Sequence, residues 1–135
     1  MAAQVFYNGL QFMEQCAIGV YTPVLYVGLY VNNVSLVNTN VYGDFVFNSL
    51  SGGAPIALTP GTWINASSSP YSEFTYSGLS WLFAPYVGGV TVYGYVVYDY
   101  THSVALWADV FGSGYTVPPA GGGIVLALDK KRQYC

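Results

Sequence analysis

Hydrophobic and polar positions along the chain predict a β-rich fold whose best-defined unit is a long hairpin over residues 90–111. Its first arm, residues 90–99, and its second arm, residues 104–111, are rich in β-branched and aromatic side chains, which favour strands. The polar connection at residues 100–103 has a length typical of hairpins. Neither arm has a strongly polar face, so we expect both faces to be covered, by this chain or by another copy.

Strict alternation along the first arm assigns its side chains to two faces. One face would carry Val90, Val92, Gly94, Val96 and Tyr98, and the other would carry Thr91, Tyr93, Tyr95, Val97 and Asp99. We expect one face to pack inside the domain. The face with Tyr93 and Tyr95 would meet another subunit or an overlying loop.

Further strand patterns lie before and after the hairpin, separated by turn residues. They cover residues 24–31, 54–58, 71–76, 79–83 and 124–128, with weaker extended segments at 43–50, 62–64 and 115–117. About eight short strands spaced in this way predict an all-β protein, a single-domain antiparallel β-sandwich that is jelly-roll-like.

The chain has 135 residues, a length typical of one domain. We expect a single β-sandwich domain over residues 1–135, with residues 1–22 as an N-terminal arm and residues 129–135 as a C-terminal tail. A short helix is expected at residues 9–17, where Asn8 is placed to cap the first turn. Its apolar stripe would consist of Leu10, Met13 and Ala17.

Charged residues make up only 7% of the chain, against about 25% in an average soluble domain. Together with 14 tyrosines and 16 glycines, this composition predicts a surface largely buried against other protein. The chain has three basic residues, Lys130, Lys131 and Arg132, so its body is not suited to neutralise nucleic-acid phosphates. This cluster either touches an acidic neighbouring subunit or belongs to a solubilising, frayed terminus.

Residues that could carry chemistry are few. The single histidine, His102, lies in the hairpin connection without the spacing that would indicate a triad. Asp99 and Asp109 would lie near each other across the hairpin, as a carboxylate pair, as ligands for a cation, or as separate acids at strand ends. We therefore expect a non-enzymatic protein without a cofactor.

Residues 16–31 form a mostly apolar run that is short for a membrane helix of about 20 residues and is interrupted at Pro23. Residues 1–9 lack the positive charge of a signal peptide. The sequence therefore predicts neither a transmembrane helix nor a secretion signal. Cys16 and Cys135 do not form a disulfide framework.

Several strings occur in an order typical of one group of proteins. They are Leu29-Tyr30-Val31-Asn32-Asn33, Gly52-Gly53-Ala54-Pro55-Ile56-Ala57-Leu58, Val92-Tyr93-Gly94-Tyr95-Val96-Val97-Tyr98-Asp99, Leu106-Trp107-Ala108-Asp109-Val110-Phe111 and Val117-Pro118-Pro119-Ala120-Gly121-Gly122-Gly123-Ile124-Val125-Leu126. In this order, residues 24–128 resemble small β-rich virion proteins of tailed bacteriophages, and the hairpin strings are the most specific part. The resemblance implies a structural particle component, either a capsid decoration (cement) protein or a small tail component.

The leading hypothesis is a virion protein, made in the host cytoplasm, that oligomerises on the particle surface and bridges capsid subunits. Its partner would be the major capsid protein or another virion protein, with a trimer favoured and with neither nucleic acid nor membrane bound. Candidate interface residues are Tyr93, Tyr95, Tyr98, Trp63, Trp81, Lys130, Lys131 and Arg132. The alternative is a tail or receptor-binding β-module that contacts host glycans through aromatic residues. A weaker third option is a secreted or outer-membrane β-protein.

Overall fold

The computed structural model describes residues 4–58, 64–68 and 71–133, with side chains described for residues 4–58 and 79–126. The elements are, in chain order, β1 (Gln4–Val5), α1 (Tyr7–Ala17), β2 (Leu25–Tyr30), a 3-10 helix (Tyr42–Asp44), β3 (Ile56–Ala57), β4 (Ile64–Ser68), β5 (Tyr71–Phe83), β6 (Thr91–Asp99), β7 (Val104–Thr116) and β8 (Gly122–Gln133). The prediction of an all-β chain with one short N-terminal helix is confirmed.

The strands form two antiparallel sheets. The larger sheet has five strands in the order β1-β7-β6-β2-β3, and the smaller has three in the order β4-β5-β8. The central strand of the larger sheet is β6, which pairs with β7 on one side and with β2 on the other. The chain therefore builds its larger sheet around the arm that the sequence marks most strongly as a strand.

The hairpin predicted over residues 90–111 is confirmed as β6 and β7, joined by residues 100–103. Its second arm is longer than expected, because β7 continues through residues 112–114, where the turn signals favoured an end. Gly112 and Gly114 adopt positive φ values of 51° and 92°, which glycine tolerates without a steric penalty. The strand bulges there and pairs with β6 again at Tyr115.

The face assignment for Tyr93 and Tyr95 is wrong. The pairing of β6 with β7 shifts register between Val92 and Gly94, and such an irregularity breaks the strict alternation of side chains. As a result Tyr95 lies in one buried cluster with Val92, whereas Tyr93 packs against a second cluster on the other face.

Side chains of both sheets share the first core cluster. Its buried members are Val27, Leu29, Leu58, Leu79, Trp81, Phe83, Val92, Tyr95, Val97, Leu106, Trp107 and Val117. Ile124 and Leu126 of β8 pack against it. Apolar side chains of the three-stranded sheet thus pack in one cluster with apolar side chains of the five-stranded sheet.

The second face of the larger sheet is covered by residues of the same chain. The connection between β2 and β3 returns over this face and contributes Phe45, with Val34, Leu36, Tyr42 and Phe47 packed against the cluster. Asn32 anchors the connection, because its amide N–H donates to Asp44 O (2.8 Å) and its Oδ1 accepts from Val46 N–H (2.9 Å). Of the two predicted covers, a subunit or an overlying loop, the structure has the overlying segment.

The N-terminal helix exists but begins earlier and buries a different stripe than predicted. It starts at Tyr7, its N-cap residue is Phe6, and Asn8 lies inside the first turn without capping it. The buried positions are Gly9 and Phe12, whereas Met13 is 41% exposed. Gly9 decides this orientation: a Cβ there would lie 2.5 Å from Leu106 Cα, so only glycine lets the helix approach β7 so closely.

The long strands of the smaller sheet also differ from the predicted segments. Residues 71–76 and 79–83 form one strand, β5, with a register irregularity between Tyr76 and Leu79. The predicted tail at residues 129–135 is continuous with β8 as far as Gln133, because residues 129–133 pair with β5. Residues 134 and 135, including Cys135, lie outside the described residues.

Candidate functional site

The five aromatic residues among the predicted interface residues fall into three groups. Trp81, Tyr95 and Tyr98 are between 2% and 6% exposed, so they belong to the interior of this chain and cannot form a surface. Burial against the opposite sheet and the covering segment is the physical reason. Tyr93 is partly exposed. Trp63 lies outside the described residues.

The basic cluster occupies the β8 strand. Lys130, Lys131 and Arg132 pair in register with Phe74, Glu73 and Ser72 of β5. The pairing places Lys131 directly opposite Glu73 in the ladder. These backbone positions therefore belong to the smaller sheet.

Trp81 is held by its indole as well as by packing. Its Nε1–H donates to Ala54 O at 2.9 Å, which ties β5 to the segment before β3. A buried indole needs such an acceptor, because an unpaired N–H in an apolar core is costly. Trp81 is therefore a structural residue that links the two sheets.

The outer face of β5 and β8 exposes large aliphatic side chains. Leu82 is 79% exposed and Val125 is 83% exposed. Leu82 pairs with Gly123, and Val125 pairs with Ser80, so the two aliphatic side chains are diagonal neighbours on one face. We call Ser80, Leu82, Gly123 and Val125 the outer β5–β8 face; all four are exposed, and none carries a charge.

A second feature is a row of tyrosines that begins at the exposed Tyr100 of the hairpin tip and includes the buried Tyr98. The ring centroids of Tyr100 and Tyr26 are 4.9 Å apart in a stacked arrangement, those of Tyr26 and Tyr98 are 6.2 Å apart, and those of Tyr98 and Tyr42 are 5.2 Å apart. We call Tyr100, Tyr26, Tyr98 and Tyr42 the tyrosine row. Phe47 packs against the row, with its ring centroid 5.1 Å from that of Tyr98.

The larger sheet and its covering segment place these rings together. Tyr26 of β2 lies directly opposite Tyr98 of β6, and the ladder continues as Tyr100 N–H donates to Val24 O at 2.8 Å. Tyr42 reaches the row from the 3-10 helix. Of the four tyrosines in the row, the sequence analysis named only Tyr98 as a candidate. Tyr26 was recognisable as a strand residue, but its pairing with Tyr98 depends on the β2–β6 register.

The hydroxyl groups of the row are close to one another. The pKa of Tyr98 is raised to about 12, first because burial disfavours its ionised form, and then because the oxygens of Tyr42, Tyr26 and Tyr100 are near enough to repel a phenolate. Tyr98 is 4% exposed, whereas Tyr100 is 62% exposed. The buried Tyr98 ring thus lies inside the row, between Tyr26 and Tyr42, and the open Tyr100 ring lies at one end.

The hairpin tip itself is stabilised by a buried carboxylate. Asp99 is fully buried, and its Oδ1 accepts a hydrogen bond from Val24 N–H (2.7 Å). Its Oδ2 accepts from the backbone N–H of His102 (2.7 Å) and lies 2.9 Å from Nδ1 of the same residue. Asp99 therefore closes the turn, and it does not pair with Asp109 as a site for a cation.

The cysteine near this turn is not activated. Cys16, at the end of α1, has a raised pKa because of burial and because the Asp99 charge repels a thiolate. A nucleophilic cysteine requires the opposite shift. The His102 ring instead lies against Tyr21, with centroids 4.4 Å apart. These contacts give the helix end a packing role.

Among the described residues, no group of three or more His, Cys, Asp or Glu side chains is placed to hold a metal ion. Within residues 4–58, 64–68 and 71–133, no helix has both the length and the apolar character needed to cross a membrane.

Comparisons with protein-family models, with curated proteins and with solved structures found no match to this chain. The two features of the described surface that bear on function are the outer β5–β8 face and the tyrosine row.

Proposed function

We propose that this protein is a non-enzymatic structural component of a virion, a capsid decoration protein that oligomerises and stabilises the head by bridging capsid subunits. The observation that carries the proposal is the outer β5–β8 face, where Leu82 and Val125 lie exposed beside each other and none of the four residues of the face is charged. An aliphatic, charge-free sheet face is suited to contact with another protein.

The free energy gained by burying the exposed aliphatic side chains favours assembly. Burying one leucine or valine side chain contributes roughly 1.5–3 kcal/mol, so covering both Leu82 and Val125 in each subunit is a substantial driving force. Contacts of this kind repeat around an oligomer, and simultaneous attachment to several capsid subunits would add avidity. The low charge of the whole chain, 7% of its residues, points in the same direction.

The proposed architecture is a β-sandwich. The first core cluster draws side chains from both sheets, with Leu79, Trp81 and Phe83 from β5 meeting β2 and β6 residues. Such sharing of one core is the arrangement that two packed sheets produce. In a sandwich, the outer β5–β8 face would be directed away from the core and towards a partner.

The assignment to a virion rests on the resemblance of residues 24–128 to small virion proteins of tailed bacteriophages. The most specific strings of that resemblance lie on β6 and β7, the paired strands at the centre of the larger sheet. A trimer is the oligomer that this resemblance favours. The proposed partner is the major capsid protein, and the proposed location is the outer surface of the particle.

The first experiment measures oligomeric state and particle binding. We expect Leu82→Asp combined with Val125→Asp to convert the oligomer to monomers in multi-angle light scattering, while circular dichroism and the unfolding midpoint stay close to those of the unaltered protein. The matched control is Val37→Asp, because Val37 is 48% exposed and lies on the segment that covers the opposite face of the larger sheet.

Two results would contradict the proposal. The first is an unaltered protein that stays monomeric at high concentration. The second is an immuno-electron micrograph in which antibody against the protein labels no particle heads. Labelling of tails alone would favour a tail component.

A further inference from the structure

We propose that the tyrosine row is a binding site for a proline-rich peptide segment of a partner protein. The inference goes beyond the function proposed above and does not depend on it, since the row lies on the larger sheet, away from the outer β5–β8 face.

The hydroxyl groups of the row are free to bind a ligand. Other tyrosines of this chain use their hydroxyl groups in internal hydrogen bonds. Tyr30 donates to Asp109 O (3.1 Å), and Tyr86 donates to Val117 O (2.6 Å). By contrast, none of the four hydroxyls in the tyrosine row makes a hydrogen bond to another described residue. Tyr100 is exposed, and Tyr26 and Tyr42 are partly exposed, so their phenols are unused hydrogen-bond donors at a surface beside the buried Tyr98 ring.

The surroundings of the row favour an uncharged ligand. The basic residues of the chain stand at positions 130–132 on β8, in the other sheet. The acid beside the row in sequence, Asp44, has its Oδ2 engaged by Val41 N–H (2.9 Å) and by the Asn40 amide (3.0 Å). Asp99 is buried in the hairpin turn. The row therefore offers ring faces and hydroxyl groups beside one exposed acid whose Oδ2 is already hydrogen-bonded, and it has no basic side chain for an anionic ligand.

A proline-rich segment matches this chemistry better than an ordinary peptide or a sugar does. Its residues present carbonyl acceptors but no N–H donors, and a tyrosine hydroxyl donates well to a carbonyl. Its compact, apolar pyrrolidine rings pack on aromatic faces, as in the known aromatic-lined grooves for proline-rich peptides. A sugar also donates hydrogen bonds and would need carboxylate or amide acceptors, which the row does not supply.

The dimensions also agree. The ring centroids along the row are 4.9, 6.2 and 5.2 Å apart. A polyproline II helix rises about 3.1 Å per residue, so at most roughly five of its residues can lie along the row. One flank is open, because the residue paired with Tyr26 on the edge strand β3 is Ala57, a small and exposed side chain. A peptide could lie across Tyr100 and Tyr26 and reach Tyr42.

The test is a titration of the protein with a decamer of proline. Isothermal calorimetry measures the affinity, and the ¹H–¹³C NMR signals of the tyrosine rings report which rings bind the peptide. We expect saturable binding, with shifts in the rings of Tyr26 and Tyr100. Tyr100→Ala should weaken binding at least tenfold. Tyr7→Ala is the matched control, because Tyr7 is similarly exposed (57%) but lies on α1, and it should leave the affinity unchanged.

Three outcomes would overturn the proposal. The first is a decamer of proline that does not saturate the protein at millimolar concentration. The second is an equal loss of affinity in the Tyr100 and Tyr7 variants. The third is binding of a neutral oligosaccharide such as maltoheptaose, abolished by Tyr100→Ala, in the absence of peptide binding. The last result would assign the row to a glycan, and Tyr100→Phe would then separate ring stacking from hydroxyl donation.

Discussion

Asp99 and His102 are joined twice across the tip of the central hairpin. The backbone N–H of His102 donates to Asp99 Oδ2 at 2.7 Å, and Nδ1 of the same histidine lies 2.9 Å from that oxygen. A fully buried carboxylate at the end of β6 thus organises the turn into β7, while its other oxygen accepts from Val24 N–H.

This arrangement predicts a large effect of removing the carboxylate. In Asp99→Asn, the amide oxygen can still accept from Val24 N–H, but the amide nitrogen would face the backbone N–H donor of His102. We expect a loss of about 2–3 kcal/mol in the free energy of unfolding, the usual effect of leaving buried polar groups unpaired. Urea unfolding at pH 7 measures it.

Asp109→Asn is the matched control for that change. Asp109 lies on β7, is only partly buried, and its Oδ1 accepts from the adjacent Val110 N–H (2.8 Å). The expected loss is below about 1 kcal/mol. Equal losses in the two variants would show that the turn does not depend on Asp99.

A glycine in the central strand is required by packing. A Cβ at Gly94 would lie 2.0 Å from Asp109 O and 2.6 Å from the hydroxyl of Tyr30. Backbone of β7 cannot move away without breaking the hairpin ladder, so Gly94→Ala should lower the free energy of unfolding by about 3 kcal/mol, the upper end of the cost of overpacking.

The comparison for Gly94 is Gly43→Ala. Gly43 lies in the 3-10 helix, and a Cβ there meets nothing within 4 Å. Thermal unfolding of the two variants should therefore differ clearly, with Gly43→Ala close to the unaltered protein. A midpoint for Gly94→Ala as high as that of Gly43→Ala would contradict the close approach.

Two tyrosines should make the protein sensitive to alkali. The pKa of Tyr30 is raised to about 12, first by burial and then by the charge of Asp109, and the pKa of Tyr98 is raised to about 12 by burial and by neighbouring phenols. A raised pKa means that the folded state favours the neutral form. This contribution to stability is complete below about pH 10, the ordinary tyrosine value, and is lost as the pH rises through about 12.

Absorbance at 295 nm during a pH titration measures this effect, and two variants separate the causes. Tyr98→Phe and Tyr30→Phe should each remove one late-titrating phenol. Only Tyr30→Phe should also lower stability at pH 7, by about 1 kcal/mol, because its hydroxyl donates to Asp109 O. Phenols that all ionise near pH 10 would contradict the buried positions.

Local sequence pattern predicted most strands of the described part of the chain. The β2 strand and the β6–β7 hairpin were recognisable because β-branched and aromatic residues cluster there between polar turns. The helix was recognisable, but its face was not. Glycine at position 9 contributes nothing to an apolar stripe, and its role as a contact point with Leu106 exists only once β7 lies beside it.

The surface sites were harder to predict. Tyr98 and Trp81 are of residue types that are common in interfaces, but both are buried inside this chain. Tyr98 lies against the covering segment, and Trp81 lies in the cluster that both sheets share. Strand alternation divides the side chains of each strand between two faces, but it does not reveal which face meets the core. The exposure of Leu82 and Val125 is therefore known only from the structure. The tyrosine row joins residues 26, 42, 98 and 100, which only folding brings together.

The sequence by itself determined that this chain is a β-rich protein with a central hairpin, because strand propensity and turn residues act over a few neighbouring positions. The tertiary structure alone decided what covers that hairpin. One face meets side chains of the smaller sheet, and the other meets residues of the β2–β3 connection. A register shift beside Gly94 also places Tyr93 and Tyr95 on opposite faces. Register and sheet order depend on contacts between distant residues, and a local pattern does not encode them.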